Sequence, residues 1–353
     1  MHSIEKSPDD FMEYARMHGF GDVHFKVDPA TGMRAIVAIH NTNLGPALGG
    51  CRFVTYENTN QAILDAMRLA RGMSYKSALA NLPLGGGKSV ILKPNTPYDR
   101  AAYFHHFGDF VQSLNGQYIT AMDSGTDVED MDIIAAHTPY VASTSLQGDP
   151  SPYTVQGLLR GIQAAVLFKL GKDRLTGLHM TIQGLGHVGY AIANLLHQQG
   201  VRLTVADTNA AITARAVSEF SAREVSTAVI HSVPCDVYIP CALGAIINDA
   251  SINEFQTTVI AGAANNQLEH IRHADMLHQK EILYAPDYVI NAGGVIYAAS
   301  QYLDTSESAM HEKVNNIHQT LLDIFQRSVT EKQTTCAIAD RIAEERMLIS
   351  GAG

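Results

Sequence analysis

Cysteine is scarce in this chain of 353 residues: there are four (Cys51, Cys235, Cys241, Cys336), scattered and without a CxxC pair. That argues against a disulfide frame or a zinc site and predicts reduced thiols in a cytoplasmic protein with no metal. Positive charge is also in short supply, with 25 Lys and Arg against 35 Asp and Glu and a net charge of −10. Such a balance repels nucleic-acid phosphates and anionic membrane surfaces, whereas a small anionic substrate needs only a few local cations. No apolar run is long enough to span a bilayer; the richest, 282–299, is broken by Pro286, Asp287 and Asn291. The first ten residues carry no apolar segment of the kind a secretory signal needs, so none is expected. Low-complexity segments and internal repeats are missing as well. What remains is 46% hydrophobic and long enough for two domains, each with its own core.

Ser7-Pro8-Asp9-Asp10 has the form of a helix start. Residues 22–27 and 34–40 alternate apolar and polar around the turn Asp28-Pro29-Ala30-Thr31-Gly32, a hairpin signature. Thr59-Asn60 is expected to cap a helix running to about Gly72 or beyond, and 89–92 reads as a strand closed by Pro94. The first 140 or so residues thus predict an α+β domain. After Pro150-Ser151-Pro152 the rhythm changes. Short apolar strands at 180–183, 203–206, 236–239, 258–261 and 282–284 alternate with helices, predicting a parallel, doubly wound sheet. The tail from Ser306 is helical, with Met310, Val314, Ile317, Leu321 and Ile324 on one stripe.

The strand Thr181-Ile182-Gln183 runs into Gly184-Leu185-Gly186-His187-Val188-Gly189, a GxGxxG. Alone the pattern is weak, but an apolar stripe (Val188, Ala191, Ile192, Leu195, Leu196) follows, then a second strand ending at Asp207. In that context Gly184 permits the tight turn, Gly186 admits a pyrophosphate, and Gly189 lets helix approach strand. The pyrophosphate would rest on the helix N-terminus. Asp207, twenty-three positions after Gly184, would bind the ribose hydroxyls of NAD and repel the 2′-phosphate of NADP.

Lys76 and Lys88 stand twelve residues apart among Ala78, Leu79, Leu82 and Leu84, with Gly85-Gly86-Gly87 just before Lys88. Burying an ammonium is costly unless it is paired or deprotonated, so such a lysine can become a base near neutrality. The three glycines leave room for a ligand or for backbone. Two surface lysines covering apolar neighbours with their stems would fit the stretch alone equally well. Gly87-Lys88-Ser89 resembles the end of a phosphate-binding P-loop, but the first glycine would be residue 82, which is Leu82, and a strand follows where a helix is required. Asp123 lies at a strand-to-loop junction, where either a catalytic acid or a simple turn aspartate would sit.

Together Leu44-Gly-Pro-Ala-Leu-Gly-Gly-Cys-Arg52, the two-lysine stretch, residues 118–132, Gly262-Ala-Ala-Asn-Asn-Gln-Leu268 and Tyr284-Ala-Pro-Asp-Tyr-Val-Ile-Asn-Ala-Gly-Gly-Val-Ile296 carry a resemblance. They are similar, in order and over most of the chain, to the glutamate/leucine/phenylalanine/valine dehydrogenase superfamily, with leucine dehydrogenase the nearest branch. The resemblance implies NAD-dependent oxidative deamination of a small apolar L-amino acid to its 2-oxo acid and ammonia. It implies that Lys76, Gly49 and Gly50 bind substrate, that Lys88 is the catalytic lysine, and that Asp123 handles protons on the amine. Asn265 and Asn291 would orient the substrate carboxylate and the nicotinamide carboxamide, with the two roles undivided. Cys241, Ala242 and Ala263 would border the cofactor. A substrate-binding and oligomerisation domain over 1–143 and a Rossmann-type NAD domain over 144–324 are implied, with a cleft between them and the C-terminal helices 325–353 returning to the first. A homo-oligomer, dimer to octamer, is expected, with no nucleic-acid or membrane partner.

Glutamate-specific relatives carry lysine where this chain has Leu48, and an unpaired carboxylate against leucine is disfavoured. The other pocket positions, Ala121, Val295 and Ala298, are apolar too, which also suits plain core packing. Leucine, isoleucine and valine are the expected substrates; Ala298, where relatives tend to have valine, widens the pocket towards phenylalanine or tryptophan. A binding protein that kept the fold but lost catalysis is the rival from another class, and the intact Lys76, Lys88, Asp123 and Asn265 argue against it. His270, His273 and His278, with Glu269, do not bring three ligands to one helix face.

Overall fold

Asp10 accepts hydrogen bonds from the N–H groups of Met12 and Glu13 and starts α1 (Phe11–His18), which Gly19 closes in the left-handed conformation at φ 68°. The computed structural model describes residues 10–242 and 244–349, so the expected start at Ser7 and Pro8 lies outside the described residues. The hairpin follows as read, β1 (Asp22–Val27) against β2 (Arg34–Asn41), with Asp28 accepting from the N–H and hydroxyl of Thr31 in the turn.

Next come β3 (Ala47–Val54), α2 (Thr59–Leu79), β4 (Gly85–Leu92), α3 (Arg100–Ser113), β5 (Tyr118–Met122) and α4 (Val128–Ala135). The sheet order is β1-β2-β4-β3-β5, antiparallel from β1 to β4 and parallel among β4, β3 and β5. The first domain therefore joins an antiparallel hairpin to two parallel crossovers. Its strand β3 escaped the sequence reading because Gly49 and Gly50 break the β-branched signature. One face packs Ile36, Ala38 and Val90 under Ala66, Met67 and Ala70 of α2. The other packs Val37, Phe53 and Ile91 under Phe104 and Phe107 of α3 and Met131 and Ile134 of α4.

The starts of α2 and of β4 differ from expectation. Asn58, and not Thr59-Asn60, caps α2, its side chain accepting from the Gln61 N–H at 2.9 Å. The far end of α2 agrees with the reading of a helix to Gly72 or beyond: it runs to Leu79, because Ser74, Tyr75, Ala78 and Leu79 are buried past the glycine. That burial outweighs the roughly 1 kcal/mol that glycine costs inside a helix. The strand β4 begins at Gly85, four residues before the expected 89.

The second part opens with α5 (Ser151–Leu170), after which β6 (His179–Gln183), α6 (His187–Gln198), β7 (Arg202–Ala206), α7 (Ala210–Phe220) and the short β8 (Arg223–Glu224) alternate. Then β9 (Cys235–Pro240), β10 (Thr257–Ile260), α8 (Arg272–Gln279) and β11 (Leu283–Tyr284) complete a six-stranded parallel sheet, ordered β11-β10-β9-β6-β7-β8. The order reverses at β6, whose end carries the glycine-rich turn, the place where open parallel sheets bind ligands.

The chain ends in α9 (Asp287–Ile290), α10 (Gly293–Tyr302), α11 (Glu307–Asn315), α12 (Ile317–Glu331) and α13 (Thr335–Ile349). The single helical stripe read from Met310 to Ile324 is split at Asn316 into α11 and α12, yet all five of its apolar residues are buried.

The described residues through Gly148, with Ala298–Thr305 and those from Ala343, form one compact unit; Asp149–Tyr297 and Ser306–Ile342 form the other. Residues 306–342 thus fall in the second unit. Helix α12 keeps them there, since Ile317 and Leu321 close on Gly157 and Gly161 of α5. Only the last turns of α13 join the first unit. Arg346 donates to the terminal carbonyls of α2 at Ala78 and Leu79, and Tyr75 donates to Glu344 at 2.6 Å.

Candidate active site and cofactor site

In the first unit the register brings Lys88, Gly50 and Ala121 into one row, and Gly86, Leu48 and Ile119 into the row two residues away. Rows two apart share a face, so Lys88, Leu48, Gly50 and Ala121 all lie on the side covered by α2. Lys88 is 6% exposed, and Leu48 and Ala121 are buried. This settles the two readings of Lys88: it is no surface lysine. Its ammonium is ion-paired with Asp123 Oδ2.

The loop after β5 fixes that carboxylate. The Asp123 N–H donates to Thr126 Oγ1 at 2.9 Å, Thr126 Oγ1 donates to the Cys51 carbonyl at 3.0 Å, and the Phe53 N–H donates to the Ser124 carbonyl at 2.9 Å. Gly125 sits at φ 84°, and a Cβ there would lie 1.9 Å from the Phe53 carbonyl oxygen, so no side chain fits. Burial works to raise the Asp123 carboxyl, but the Lys88 ammonium and, further off, Arg52 outweigh it and hold it below the ordinary aspartate range.

The glycines before Lys88 make room for protein. A Cβ on Gly86 would lie 2.0 Å from Ser74 N of α2, and one on Gly87 would lie 2.8 Å from the Tyr118 ring. Gly49 and Gly50 are as confined: their Cβ atoms would fall 1.7 Å from the Gly87 carbonyl and 2.7 Å from Asp123 Cβ. Lys76 is half-buried near the end of α2, and its neighbour Ser77 donates to the Gly85 carbonyl. Two polar groups near the pair were not singled out from sequence, Tyr118 on the opposite face of the sheet and Arg52 on this one. Tyr118 is fully buried and donates to the Gly49 carbonyl at 2.7 Å, and Arg52 lies 3.6 Å from Asp123. Both stood inside quoted motifs, but no spacing rule marks them. Cys51 points to the opposite face, and burial pushes its thiol up to about 12, so it is an inert packing group.

In the second unit each glycine of the turn has its expected surroundings. Gly184 has φ 94°, and a Cβ there would lie 2.8 Å from Ala242; a Cβ on Gly189 would lie 1.9 Å from the Gly184 carbonyl and 3.2 Å from Cys241 Cβ. Gly186 alone has nothing within 4 Å. It is the N-cap of α6, and no side chain caps that helix, so its first N–H groups and dipole are left to an anion. His187 is exposed and Val188 half-buried on this first turn. Asp207 is half-buried at the end of β7; its Oδ2 accepts from Leu185 N–H at 2.6 Å and its Oδ1 from Asn209 N–H at 2.8 Å. The Leu185 N–H is therefore engaged by Asp207 and not left for a phosphate. Cys241 follows β9, and burial pushes its thiol up to about 11.

Asn291 is 7% exposed; its Nδ2 donates to Asn265 Oδ1 at 2.7 Å and to the Ala263 carbonyl at 3.1 Å. Its Oδ1 is buried without a partner, which costs about 1–3 kcal/mol unless a ligand donor satisfies it. Gln267, unmarked in the sequence, is fully buried and holds this loop by donating to the carbonyls of Gly262 and Ala264. The uncapped helix, the open Gly186, the acid after β7 and the unpaired amide oxygen together fit a dinucleotide. Val295 and Ala298 are half-buried on one face of α10, whose other face buries Ile296 and Ala299.

Elsewhere, Asp249 brings a third group to Glu269 and His273, within 4.8 Å. His273 already accepts from the His270 N–H and faces Asp249, which Arg272 also bonds. The ligand atoms of His273 and Asp249 are thus in use.

The chain matches the family models described as Glu/Leu/Phe/Val dehydrogenase, dimerisation domain, over residues 20–140, and Glutamate/Leucine/Phenylalanine/Valine dehydrogenase, over residues 209–347. It is 46% identical to the leucine dehydrogenase of Bacillus subtilis over 342 residues, 96% of this chain and 94% of that one. It is 39% identical to the phenylalanine dehydrogenase of Thermoactinomyces intermedius, over 96% of this chain and 94% of that one. The crystal structure of L-tryptophan dehydrogenase from Nostoc punctiforme superposes with a TM-score of 0.89 at 40% identity, covering 97% of this chain and all of that one. The chain belongs to the glutamate/leucine/phenylalanine/valine dehydrogenase family, the NAD-dependent amino-acid dehydrogenases.

Proposed function

We propose that this enzyme catalyses the reversible oxidative deamination of a branched-chain L-amino acid (leucine, isoleucine or valine) to its 2-oxo acid. The observation that carries this reading is the ion pair of buried Lys88 with half-buried Asp123, beside the apolar, buried Leu48 and Ala121 on the same sheet face. NAD, when bound, accepts the hydride of the substrate Cα. Water adds to the resulting iminium, and ammonia leaves, so one amino acid, one NAD⁺ and one water give the oxo acid, ammonium, NADH and a proton. In this scheme Lys76 clamps the substrate carboxylate together with the backbone at Gly49 and Gly50. Asp123 takes the proton of the substrate ammonium, and Lys88 promotes the attack of water and stabilises the carbinolamine. Asn291 and Asn265, bonded to each other, act as one unit towards the carboxamide and the substrate.

The test is NADH formation with L-leucine, isoleucine, valine, phenylalanine, tryptophan and glutamate. Leucine-type substrates should lead; glutamate as the best substrate would refute the role given to Leu48. Turnover surviving in Lys88→Ala would refute the mechanism. A phenylalanine- or tryptophan-type specificity is the second reading, favoured by the small Ala298 and by the similarity to the phenylalanine and tryptophan enzymes. Ala298→Val should then depress the aromatic activities more than the leucine activity.

We also propose self-association through the first unit. Phe25 is 53% and Val27 65% exposed on β1, the edge strand of its sheet, an uncovered apolar edge of the kind a second copy closes. Sedimentation of Phe25→Glu as a smaller species than the wild type would support this, and unchanged sedimentation would refute it. Among the described residues no helix is long and apolar enough to cross a membrane.

A further inference from the structure

Strand β3 delivers Arg52 to the same face as Lys88, two residues beyond Gly50. Its side chain is 23% exposed and stands between two carboxylates. Nη1 donates to Asp65 Oδ2 of α2 at 2.8 Å, and the Tyr56 hydroxyl donates to that same oxygen at 2.5 Å. Nε lies 3.6 Å from Asp123 Oδ2 and is buried with no hydrogen-bond partner. One prong of the guanidinium is therefore fastened to the helix, while another points, unused, at the carboxylate that Lys88 holds. A guanidinium is a rigid planar fork, so fastening Nη1 fixes where Nε points. Nothing in packing alone requires an unpaired buried N–H in that place.

We infer that Arg52 is a positioning residue for the reaction: anchored by Asp65 and Tyr56, it sets the place of the Asp123 carboxylate and offers Nε–H as its partner when Lys88 turns to the substrate. The inference rests on the reading of Lys88 and Asp123 as the reacting pair. It explains why the carboxylate need not follow the ammonium when the ion pair opens: a second cation remains within reach. The charged groups facing Asp123 are Lys88 from β4 and Arg52 from β3, with Asp65 of α2 and Tyr56 behind Arg52. Loss of the guanidinium leaves Lys88 as the sole cation of the set, and the Asp123 carboxyl must then rise.

The test is the pH profile of kcat and kcat/KM of the full-length enzyme with L-leucine and NAD, for Arg52→Gln, Arg52→Lys and Tyr56→Phe. Arg52→Gln should lower kcat by about 100-fold, as for a reacting group misplaced by about 1 Å, and move the acid limb of kcat/KM upward by about one pH unit. The KM for NAD should stay unchanged. Arg52→Lys restores charge without the fork, so the acid limb should return while kcat stays low. Tyr56→Phe removes one hydroxyl that donates to a carboxylate and should lower kcat about tenfold, the scale of a single lost hydrogen bond to a charged group; it carries the test if Arg52→Gln does not fold. An unmoved acid limb and kcat in Arg52→Gln, or in Tyr56→Phe if only that variant folds, would overturn the inference alone. Normal turnover in Lys88→Ala or Asp123→Asn would instead overturn the reading beneath it.

Discussion

Replacing Gly50 by alanine tests how closely the site is built. The added methyl would lie 2.7 Å from Asp123 Cβ, 3.0 Å from the Met122 carbonyl oxygen and 3.3 Å from Asp123 Cγ. Carbon atoms in ordinary contact stand about 3.5–4.0 Å apart, so Asp123 must give way by roughly 1 Å. Its backbone cannot slide, because Thr126 holds its N–H and Phe53 holds the next carbonyl. The side chain must therefore swing, which takes the carboxylate off Lys88. Overpacking of this kind costs about 1–3 kcal/mol of stability, while a 1 Å misplacement costs about 100-fold in rate. Steady-state kinetics with L-leucine and NAD should show kcat lower by that factor and the KM for NAD unchanged. A thermal melt should show a modest loss in Tm. Gly72→Ala is the control: a Cβ there meets nothing within 4 Å, so activity should be normal and α2 slightly more stable. A Gly50→Ala enzyme that turns over within threefold of the wild type would refute the claim that the place of Asp123 limits the rate.

Gly186→Ala is the opposite case. With nothing within 4 Å the melt should not change, while the KM for NAD should rise about tenfold or more; unchanged NAD affinity would remove Gly186 from the cofactor site. Leu48→Lys, at a position 1% exposed, should raise kcat/KM for glutamate relative to leucine by about tenfold or more, read from competing-substrate rates. The carboxyl of Asp123 is held below its ordinary range, so its pairing stabilises the fold above the unfolded aspartate value near 3.9 and loses that effect as pH falls through the lower folded value. Melts of wild type and Asp123→Asn should therefore converge only at strongly acid pH. Burial pushes His40, bonded to Ser74 Oγ at 2.8 Å, down to about 4. The folded form thus resists protonation, and stability should decline as pH drops from about 6.5 towards 4; His40→Gln should flatten that decline in a pH series of melts.

The sequence alone determined most of what depends on local backbone geometry. The glycine-rich turn at 184–189, the strands around it and Asp207 were legible because each follows from a short-range rule: a left-handed turn, an open helix N-terminus, an acid after the second strand. The hairpin at 22–40 was legible for the same reason. The identity of the chemical residues came from motif resemblance. The bare spacing of Lys76 and Lys88 left open whether either was buried, since a lysine stem covers apolar surface in both cases.

Only the tertiary structure decided which groups meet. It put Lys88 against Asp123 across three strands, made Gly86 and Gly87 seats for α2 and Tyr118, joined Asn291 to Asn265, and brought Arg52 between Asp65 and Asp123. It also fixed the end of α2 at Leu79 and kept α12 with the second unit, where buried packing decides. The physical reason is the range of the forces. Turn and cap energies depend on residues a few positions apart and are written in the chain; burial and ion pairing depend on distances that the chain fixes only once it has folded.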